Sequence, residues 1–297
     1  MKKEKIYKEI IKKALDLHVH VGPEVLPRKY TAEALVAAEK GRLGGACLKS
    51  HFFPTTPFIK ELKSLPKNLR LIGSITLNNS VGGLNPEAVK SAAALSEGPI
   101  MVWFPTISAK NFLAKSEYEI RPEWVKGTNY QPRRSAEING ISILKNGKLT
   151  ERTKAILRVI KKQDLILATG HVSWKEAREL IIKANKMNIR RMVVTHPIYE
   201  LIDMSTEIQA ELAGLGAVIE MCYSMFSIDK IGIEKIVSQI KTVGPENFIL
   251  SSDVGQIASD SPSLSLEKFM KLLSAKGISE SDLYRMMVTN PARLIGT

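Results

Sequence analysis

Short apolar runs alternate with helix-like segments along the whole chain. The runs predict eight strands, at about residues 15–20, 45–51, 70–77, 99–105, 164–170, 190–196, 216–222 and 247–252. Continuous apolar runs of this length are typical of strands that are buried on both faces of a parallel sheet. In 297 residues, this alternation predicts an α/β fold, a (β/α)8 TIM-type barrel, with residues 1–297 forming one domain. No G-x-G-x-x-G follows a predicted strand, which weakens the alternative of an open dinucleotide-binding sheet.

One segment, residues 106–150, breaks the alternation after the fourth predicted strand. It contains NGISILKNGKLT, in which Asn146 and Gly147 lie between two alternating arms. An Asn-Gly pair in this setting predicts a two-residue β-hairpin. Because loops that follow barrel strands lie on the face where the carboxyl ends of the strands gather, we expect a hairpin-containing insertion on that face, as a lid or a subunit contact.

The composition fits a globular protein of the reducing cytoplasm. Hydrophobic residues make up 44% of the chain and charged residues 25%. Cys47 and Cys222 both lie inside apolar strand-like runs, so they do not form a disulfide framework. The basic N-terminal stretch lacks the apolar core of a signal peptide, and no apolar run approaches the ~18 residues that a membrane span needs. These features predict a cytoplasmic protein with no membrane partner.

The chain is basic, with a formal net charge of +13. Its Lys and Arg residues form separate short clusters, most of them beside acidic residues, and no nucleic-acid-binding motif accompanies them. We therefore do not expect a nucleic-acid partner. Two interpretations stay open: a solvated Lys- and Glu-rich surface, as heat-adapted proteins have, and a basic mouth that attracts an anionic small-molecule substrate.

The histidines are the strongest chemical signal. The chain has five, and each falls at the end of a predicted strand: His18, His20, His51, His171 and His196. A parallel barrel brings the carboxyl ends of its strands to one face, so these side chains are expected to converge. Imidazole is the commonest metal-ligand side chain, and several of them around one open position are typical of a catalytic metal site.

Two further positions extend this candidate site. His18 and His20 form an H-x-H pair whose side chains point to the same side of a strand, roughly 7 Å apart along it. Asp253 ends the last predicted strand, which in a closed barrel lies beside the first. It is therefore a candidate metal ligand or general base, and the alternative is a helix N-cap.

The second and seventh predicted strands carry charged residues in apolar surroundings. Lys49 and His51 share a face with Cys47 by the two-residue period of a strand. If that face points inward, Lys49 is a buried amine that could hold an anionic substrate or be carboxylated into a bridging ligand. The alternative is a lysine that snorkels at the barrel rim. Glu220, in AVIEMCY, has a salt-bridge role and a functional role as equal alternatives.

Taken in chain order, these residues resemble the amidohydrolase superfamily of metal-dependent hydrolases. The matching features are H-x-H on the first strand, His171 on the fifth, His196 on the sixth and Asp253 on the eighth. The C-terminal VTNPARLIG resembles the N-P-A-x-x-L-G ending of many members. A branch of these proteins also carries D-x-H-x-H-x-G-P near the start and L-K-S-H on the second strand, as this chain does, and no activity comes with that branch.

The resemblance implies a divalent metal, most often zinc, with Mn, Fe, Co or Ni as alternatives. Its implied ligands are His18, His20, His171 and Asp253. Many two-metal members carry a carboxylated Lys or a Glu at the end of the fourth strand, and IMVWFPT here has neither. We therefore favour one ion with His196 as a catalytic residue. A two-ion site with His196 as a ligand and a carboxylated Lys49 as the bridge stays open.

The activity that the resemblance implies is hydrolysis of a small, anionic amide, cyclic amide or lactone by metal-activated water. Asp253 would move the proton from water to the leaving group, and His196 would polarise the carbonyl. Arg28, Lys49 and His51 are the candidate substrate contacts. The alternatives are a metal-dependent phosphodiesterase or nuclease and a non-catalytic barrel that binds a metal or ligand. The oligomeric state, including a homo-oligomer, is left open.

Overall fold

The computed structural model describes residues 2–296. Strands and helices alternate along this part of the chain. The strands are β1 (Leu15–His20), β2 (Gly45–Lys49), β3 (Arg70–Ile72), β4 (Ser74–Thr76), β5 (Met101–Trp103), β6 (Leu144–Lys145), β7 (Lys148–Leu149), β8 (Ile166–Ala168), β9 (Met192–Val194), β10 (Val218–Cys222) and β11 (Phe248–Ser251).

The α-helices fill the segments between the strands and cover the ends of the chain. They are α1 (Lys2–Lys13), α2 (Ala32–Glu39), α3 (Thr56–Lys60), α4 (Pro86–Ala94), α5 (Lys110–Leu113), α6 (Glu151–Lys162), α7 (Trp174–Lys186), α8 (Thr206–Gly214), α9 (Tyr223–Ser227), α10 (Ile233–Val243), α11 (Pro262–Ala275), α12 (Glu280–Tyr284) and α13 (Asn290–Ile295). None of the helices within residues 2–296 combines the length and the apolar character that a membrane crossing requires.

The parallel strands follow one another in the order of a barrel. One sheet has the order β1-β2-β3, and the other has the order β4-β5-β8-β9-β10-β11. Only Gly73 separates β3 from β4, so the third predicted strand is one run in two pieces. At the opposite edges of the two sheets, Val19 of β1 pairs in parallel with Val254, three residues after β11. The eight predicted strands therefore all contain observed strands, and the predicted α/β barrel class is confirmed.

Alternation along the strands divides the core into two layers. Side chains such as Cys47, Met101 and Trp103 point into the barrel interior. Their strand neighbours Leu48 and Val102 pack outward, against the helices. Lys49 follows Cys47 on the inward face of β2, as the two-residue period predicts, and its side chain is buried.

β1 departs from this alternation in a way that positions the H-x-H pair. Leu15 and Leu17 belong to the barrel interior, whereas Val19 packs in the outer layer. Strict alternation would place Val19 inside, but the pairing of β1 with β2 shifts register between Asp16 and Val19. A local register shift of this kind re-aims the residues that follow it. As a result His18 and His20 both face inward.

The carboxylate of Asp16 lies at this register shift. Its Oδ1 accepts hydrogen bonds from the backbone N–H of His18 at 3.2 Å and from that of Ser252 at 3.0 Å. Asp16 thus ties the shifted part of β1 to the end of β11. Because the side chain is fully buried, desolvation raises the pKa of Asp16 to about 7.

The insertion contains the predicted hairpin. β6 and β7 pair antiparallel, and the turn residues Asn146 and Gly147 have φ angles of 52° and 73°. Positive φ at both central residues is the geometry that Asn-Gly favours. Nearer the barrel, the insertion packs on the loops after β1 and β2 through a separate apolar cluster, which contains Leu26, Phe52, Ile107, Ile120 and Val125.

Candidate metal centre

The first and last barrel strands bring three candidate ligands together. His18 and His20 end β1, and Asp253 lies two residues after β11. The Nε2 atoms of both histidines are 3.1 Å from Asp253 Oδ1. One donor atom from each of the three residues lies within 4.8 Å of the other two, as a metal ion would require. Two imidazoles and a carboxylate are a donor set that suits zinc and related divalent ions.

His171 and His196 lie beside this group, in the turns after β8 and β9. The ring of His196 stacks on His18 with the centroids 5.7 Å apart, and the His171 ring is 5.1 Å from that of His196. The Nδ1 atoms of His171 and His196 are both buried and have no hydrogen-bond partner among the described residues. A buried nitrogen without a partner costs about 1–3 kcal/mol, so a bound ion or ligand would remove a real penalty. The donors present therefore fit a metal ion.

The two ring nitrogens of His18 have distinct roles. Nδ1 donates to Glu220 Oε2 at 3.2 Å, and both side chains are almost fully buried. A carboxylate at one ring nitrogen leaves the lone pair of the other nitrogen free for a cation. Nε2 faces Asp253 and also the ammonium group of Lys49, at 2.8 Å from Nζ. Burial would raise the pKa of Glu220, but His18 outweighs it and the pKa is lowered.

Lys49 is a buried cation inside the barrel. Only 1% of it is exposed, and Nζ lies 5.0 Å from the centre of the Trp103 ring, at a cation–π distance. Burial lowers its pKa, while the carboxylates of Asp253 and Glu220 oppose that change. The structure thus places Lys49 against the candidate ligands and away from the outer surface of the barrel.

Arg28 contacts His20 from the loop after β1. Its Nη2 donates to His20 Nδ1 at 3.1 Å, and its guanidinium pairs with Glu24. The Arg28 and Glu24 side chains are 4% and 0% exposed, so this is a buried ion pair. With Nδ1 accepting from Arg28, Nε2 carries the proton that points at Asp253. A cation bound at His20 Nε2 would therefore require Arg28 to release Nδ1.

The charge states around the candidate ligands are set by burial and by close partners. Burial would raise the pKa of Asp253, but His18 and His20 outweigh it and hold that pKa well below its usual value. Asp253 is therefore ionised, and its Oδ2 accepts a hydrogen bond from Ser224 Oγ at 2.8 Å. Burial lowers the pKa of His196 to about 4 and that of His171 well below 6.5, so both imidazoles are neutral at pH 7.

His51 lies two residues after β2, and its ring packs beside that of His20. Its ring centroid is 4.7 Å from that of His20, and its Nδ1 is 2.9 Å from Thr106 Oγ1. Thr106 in turn accepts a hydrogen bond from Asn78 Nδ2 at 2.7 Å. The structure thus brings all five histidines together at one end of the barrel.

Sequence reasoning gave no role to several residues that contact this site. Glu24, Asn78, Thr106 and Ser224 were not predicted, and Asp16 was noted only as part of a motif. Asn78 lies two residues after β4 and Thr106 three residues after β5, so a search for polar residues just beyond strand ends could have identified them. Glu24 follows the Gly22-Pro23 turn, and nothing in the sequence indicates that its carboxylate returns to the barrel.

Comparison with solved structures shows the same fold in known proteins. The probable dipeptidase PvdM from Pseudomonas aeruginosa has a TM-score of 0.63 at 13% identity, over 99% of this chain and 96% of that one. An amidohydrolase from Pseudomonas aeruginosa has a TM-score of 0.61 at 11% identity, over 98% and 97%. The TatD homologue YjjV from Escherichia coli has 0.57 at 13%, over 97% and 99%. At these identities the likeness establishes the fold.

Sequence comparison identifies a family but no characterised relative. No curated protein matches the chain significantly. Residues 13–220 match a family of unknown function, DUF6282. The matched segment contains all five histidines, Lys49 and Glu220, and it ends before Asp253.

Proposed function

The chain belongs to the DUF6282 family of unknown function, and from the chemistry of its site we propose that it is a metal-dependent hydrolase of the amidohydrolase type. One observation carries this proposal. Two histidines of the first barrel strand and the aspartate after the last one place donor atoms within 4.8 Å of one another. The unpaired Nδ1 atoms of His171 and His196 beside them support the proposal.

His18, His20, His171 and Asp253 are the proposed ligands of a single divalent ion, with zinc as the first candidate. Glu220 would orient His18 through Nδ1 and leave Nε2 for the ion. When bound, such an ion acts as a Lewis acid and lowers the pKa of a bound water from 15.7 to about 7. His196 could serve as a ligand of a second ion, and we favour a catalytic role for it.

Two side chains have the protonation states that hydrolysis needs. Asp253 is ionised, so a carboxylate oxygen can accept a proton from the attacking water and pass it to the leaving group. His196 is neutral, so its N–H can donate a hydrogen bond to the substrate carbonyl without carrying a charge of its own.

The surroundings of the site favour a small, anionic substrate. Lys49 and Arg28 are buried cations beside the histidines, and a carboxylate on the substrate would pair with them. The five histidines are at most 8% exposed, under the insertion and the loops after the strands. An amide, cyclic amide or lactone with a carboxylate fits such a site better than a nucleic acid, whose backbone needs an open groove.

Metal analysis of freshly purified protein is the decisive experiment. We expect about one transition-metal ion per chain, followed by turnover when the metal-loaded protein is offered a panel of carboxylated amides, cyclic amides and lactones. Asp253→Asn should abolish turnover, whereas Asp203→Asn, at a carboxylate that is 75% exposed, should not change it. Protein that contains no transition metal and binds none on incubation would refute the proposal.

A further inference from the structure

A chain of hydrogen bonds leads from Asn78 through Thr106 to His51. Asn78 Oδ1 accepts from the backbone N–H of Thr106 at 2.8 Å and from that of Ser108 at 3.2 Å. Its Nδ2 donates to the backbone carbonyl of His51 at 2.9 Å. Two backbone donors on the oxygen and a carbonyl on the nitrogen fix the orientation of this amide, because the flipped amide would face donors with donors. Asn78 Nδ2 is therefore a donor to Thr106 Oγ1.

The orientation of Asn78 determines the hydrogen of the Thr106 hydroxyl. Thr106 is fully buried, and its Oγ1 has two neighbours within hydrogen-bond distance: Asn78 Nδ2 at 2.7 Å and His51 Nδ1 at 2.9 Å. The first is a donor, so the second is the acceptor available to the hydroxyl hydrogen among the described residues. If His51 Nδ1 carried a proton instead, the Thr106 oxygen would accept from both neighbours, and its own buried hydrogen would have no acceptor. The Thr106 hydroxyl therefore donates to His51 Nδ1.

A neutral imidazole whose Nδ1 accepts a hydrogen bond carries its proton on Nε2. His51 is therefore neutral, since an imidazolium would need a second proton on Nδ1, where the Thr106 hydroxyl donates. No residue in the described part of the chain forms a hydrogen bond with Nε2, which lies on the ring edge opposite Thr106. The ring is adjacent to those of His20 and His171, at centroid distances of 4.7 and 6.3 Å, so this N–H is part of the histidine cluster.

We propose that His51 is a fixed hydrogen-bond donor of the site, held as the Nε2–H tautomer by Asn78 and Thr106, and that it binds a carboxylate oxygen of the substrate. Asn78 and Thr106 are positioning residues in this arrangement. The tautomer follows from the hydrogen bonds alone, whereas the carboxylate rests on the proposed function. An Nε2 that carries hydrogen has no lone pair for a metal, so His51 is not a ligand of a second ion.

The nearby charges favour an anionic oxygen as the partner of this N–H. Two buried cations lie in the histidine cluster: Lys49, beside His18, and Arg28, which contacts His20 and is already paired with Glu24. The Nε2–H group can donate only to an acceptor, and a carboxylate there would complement the cationic Lys49, whereas an ammonium group or a second metal ion would face a hydrogen instead of a lone pair. The substrate class is thus a carboxylate-bearing amide or lactone whose carboxylate contacts His51 and whose scissile carbonyl lies nearer to His18, Asp253 and His196.

Nitrogen NMR of histidine tests the tautomer without any substrate. In zinc-loaded protein labelled with 15N-histidine, long-range 1H–15N correlations report which ring nitrogen carries hydrogen, and His51→Gln assigns the signal. We expect Nε2–H for His51 in the wild type and in Thr106→Ser, which keeps the hydroxyl. Thr106→Val removes the donor to Nδ1 and should abolish the strict preference. Asn78→Asp replaces the Nδ2 donor by an acceptor, so it should turn the Thr106 hydroxyl round and invert the tautomer.

Binding of malonate tests the carboxylate contact on the same samples. A hydrogen bond to a charged group is worth about 1.5–3 kcal/mol, so the dissociation constant should rise about tenfold or more in His51→Leu. His51→Gln keeps an N–H donor and should lose less. An Nδ1–H or doubly protonated His51 in the wild type, or unchanged malonate binding in His51→Leu, would overturn the proposal. A protein that binds no metal yet shows the Nε2–H tautomer would refute the hydrolase and leave the fixed donor in place.

Discussion

Replacing Glu220 by glutamine tests how strongly the carboxylate behind His18 supports the metal centre. The substitution keeps the size of the side chain and removes the negative charge that accepts from His18 Nδ1 at 3.2 Å. Both side chains are buried, 0% and 2% exposed, so water cannot take over the lost interaction. One hydrogen bond to a charged group contributes about 1.5–3 kcal/mol. The dissociation constant for Zn²⁺ should therefore rise about tenfold to a hundredfold, as is usual when an outer partner of a ligand is lost.

The assay is a zinc titration at pH 7 against a chelating indicator. Glu119→Gln is the matched control, because Glu119 is also a buried carboxylate but pairs with Arg133 in the insertion. The control should bind zinc like the wild type. Thermal unfolding of both variants shows that they are folded under the assay conditions. Equal zinc affinity in the wild type, Glu220→Gln and Glu119→Gln would refute the role assigned to Glu220.

Three further outcomes are expected. Removal of the metal with a chelator should lower the melting temperature, and added Zn²⁺ should restore it. A ligand at a hundred times its dissociation constant adds about 2.7 kcal/mol to the free energy of unfolding. An unchanged melting curve would contradict a bound metal. Gly170→Ala should destabilise the fold in urea by about 1–3 kcal/mol from backbone strain alone, and an unchanged midpoint would contradict this. The φ angle of Gly170 is +64°, and a Cβ at this position would lie 2.2 Å from the backbone oxygen of Phe104. Burial would raise the pKa of Glu119, but hydrogen bonds from Arg133 and Tyr130 outweigh it and lower that pKa. The stability that Glu119 contributes should therefore be complete above pH 4.5 and be lost as the pH falls further. Denaturation curves of the wild type and Glu119→Gln should converge in acid, and a constant difference would contradict this.

The barrel and its hairpin could be predicted because local signals determine them. Continuous apolar runs mark strands that are buried on both sides, and these runs contain the observed strands. Asn146 and Gly147 adopt the positive φ angles that such a pair tolerates with little strain. The convergence of the five histidines follows from the same fold rule, because chain order determines which strand ends are neighbours.

The finer contacts of the site could not be predicted, because they depend on distant parts of the chain. Glu24 reaches from the loop after β1 to accept a hydrogen bond from the backbone N–H of His51, and Thr106 reaches the ring of His51 from the start of the insertion. Neither pair has a sequence spacing that would indicate contact. The same holds for the hydrogen bond between Arg28 and His20, which determines where the proton of that imidazole lies. Such partners are chosen by tertiary packing, which a pattern of apolar residues does not encode.

The register shift in β1 separates the path of the backbone from the chemistry at its end. Asp16 holds the shift through the backbone of His18 and Ser252, so the imidazoles of His18 and His20 take no part in maintaining it. Evolution can therefore exchange either ring for another donor while the strand keeps its course, which makes the donor set open to gradual change. Deletion of Leu17, within the shifted part of β1, would instead be abrupt in its effect. It would turn both side chains toward the helices and remove the site in one step.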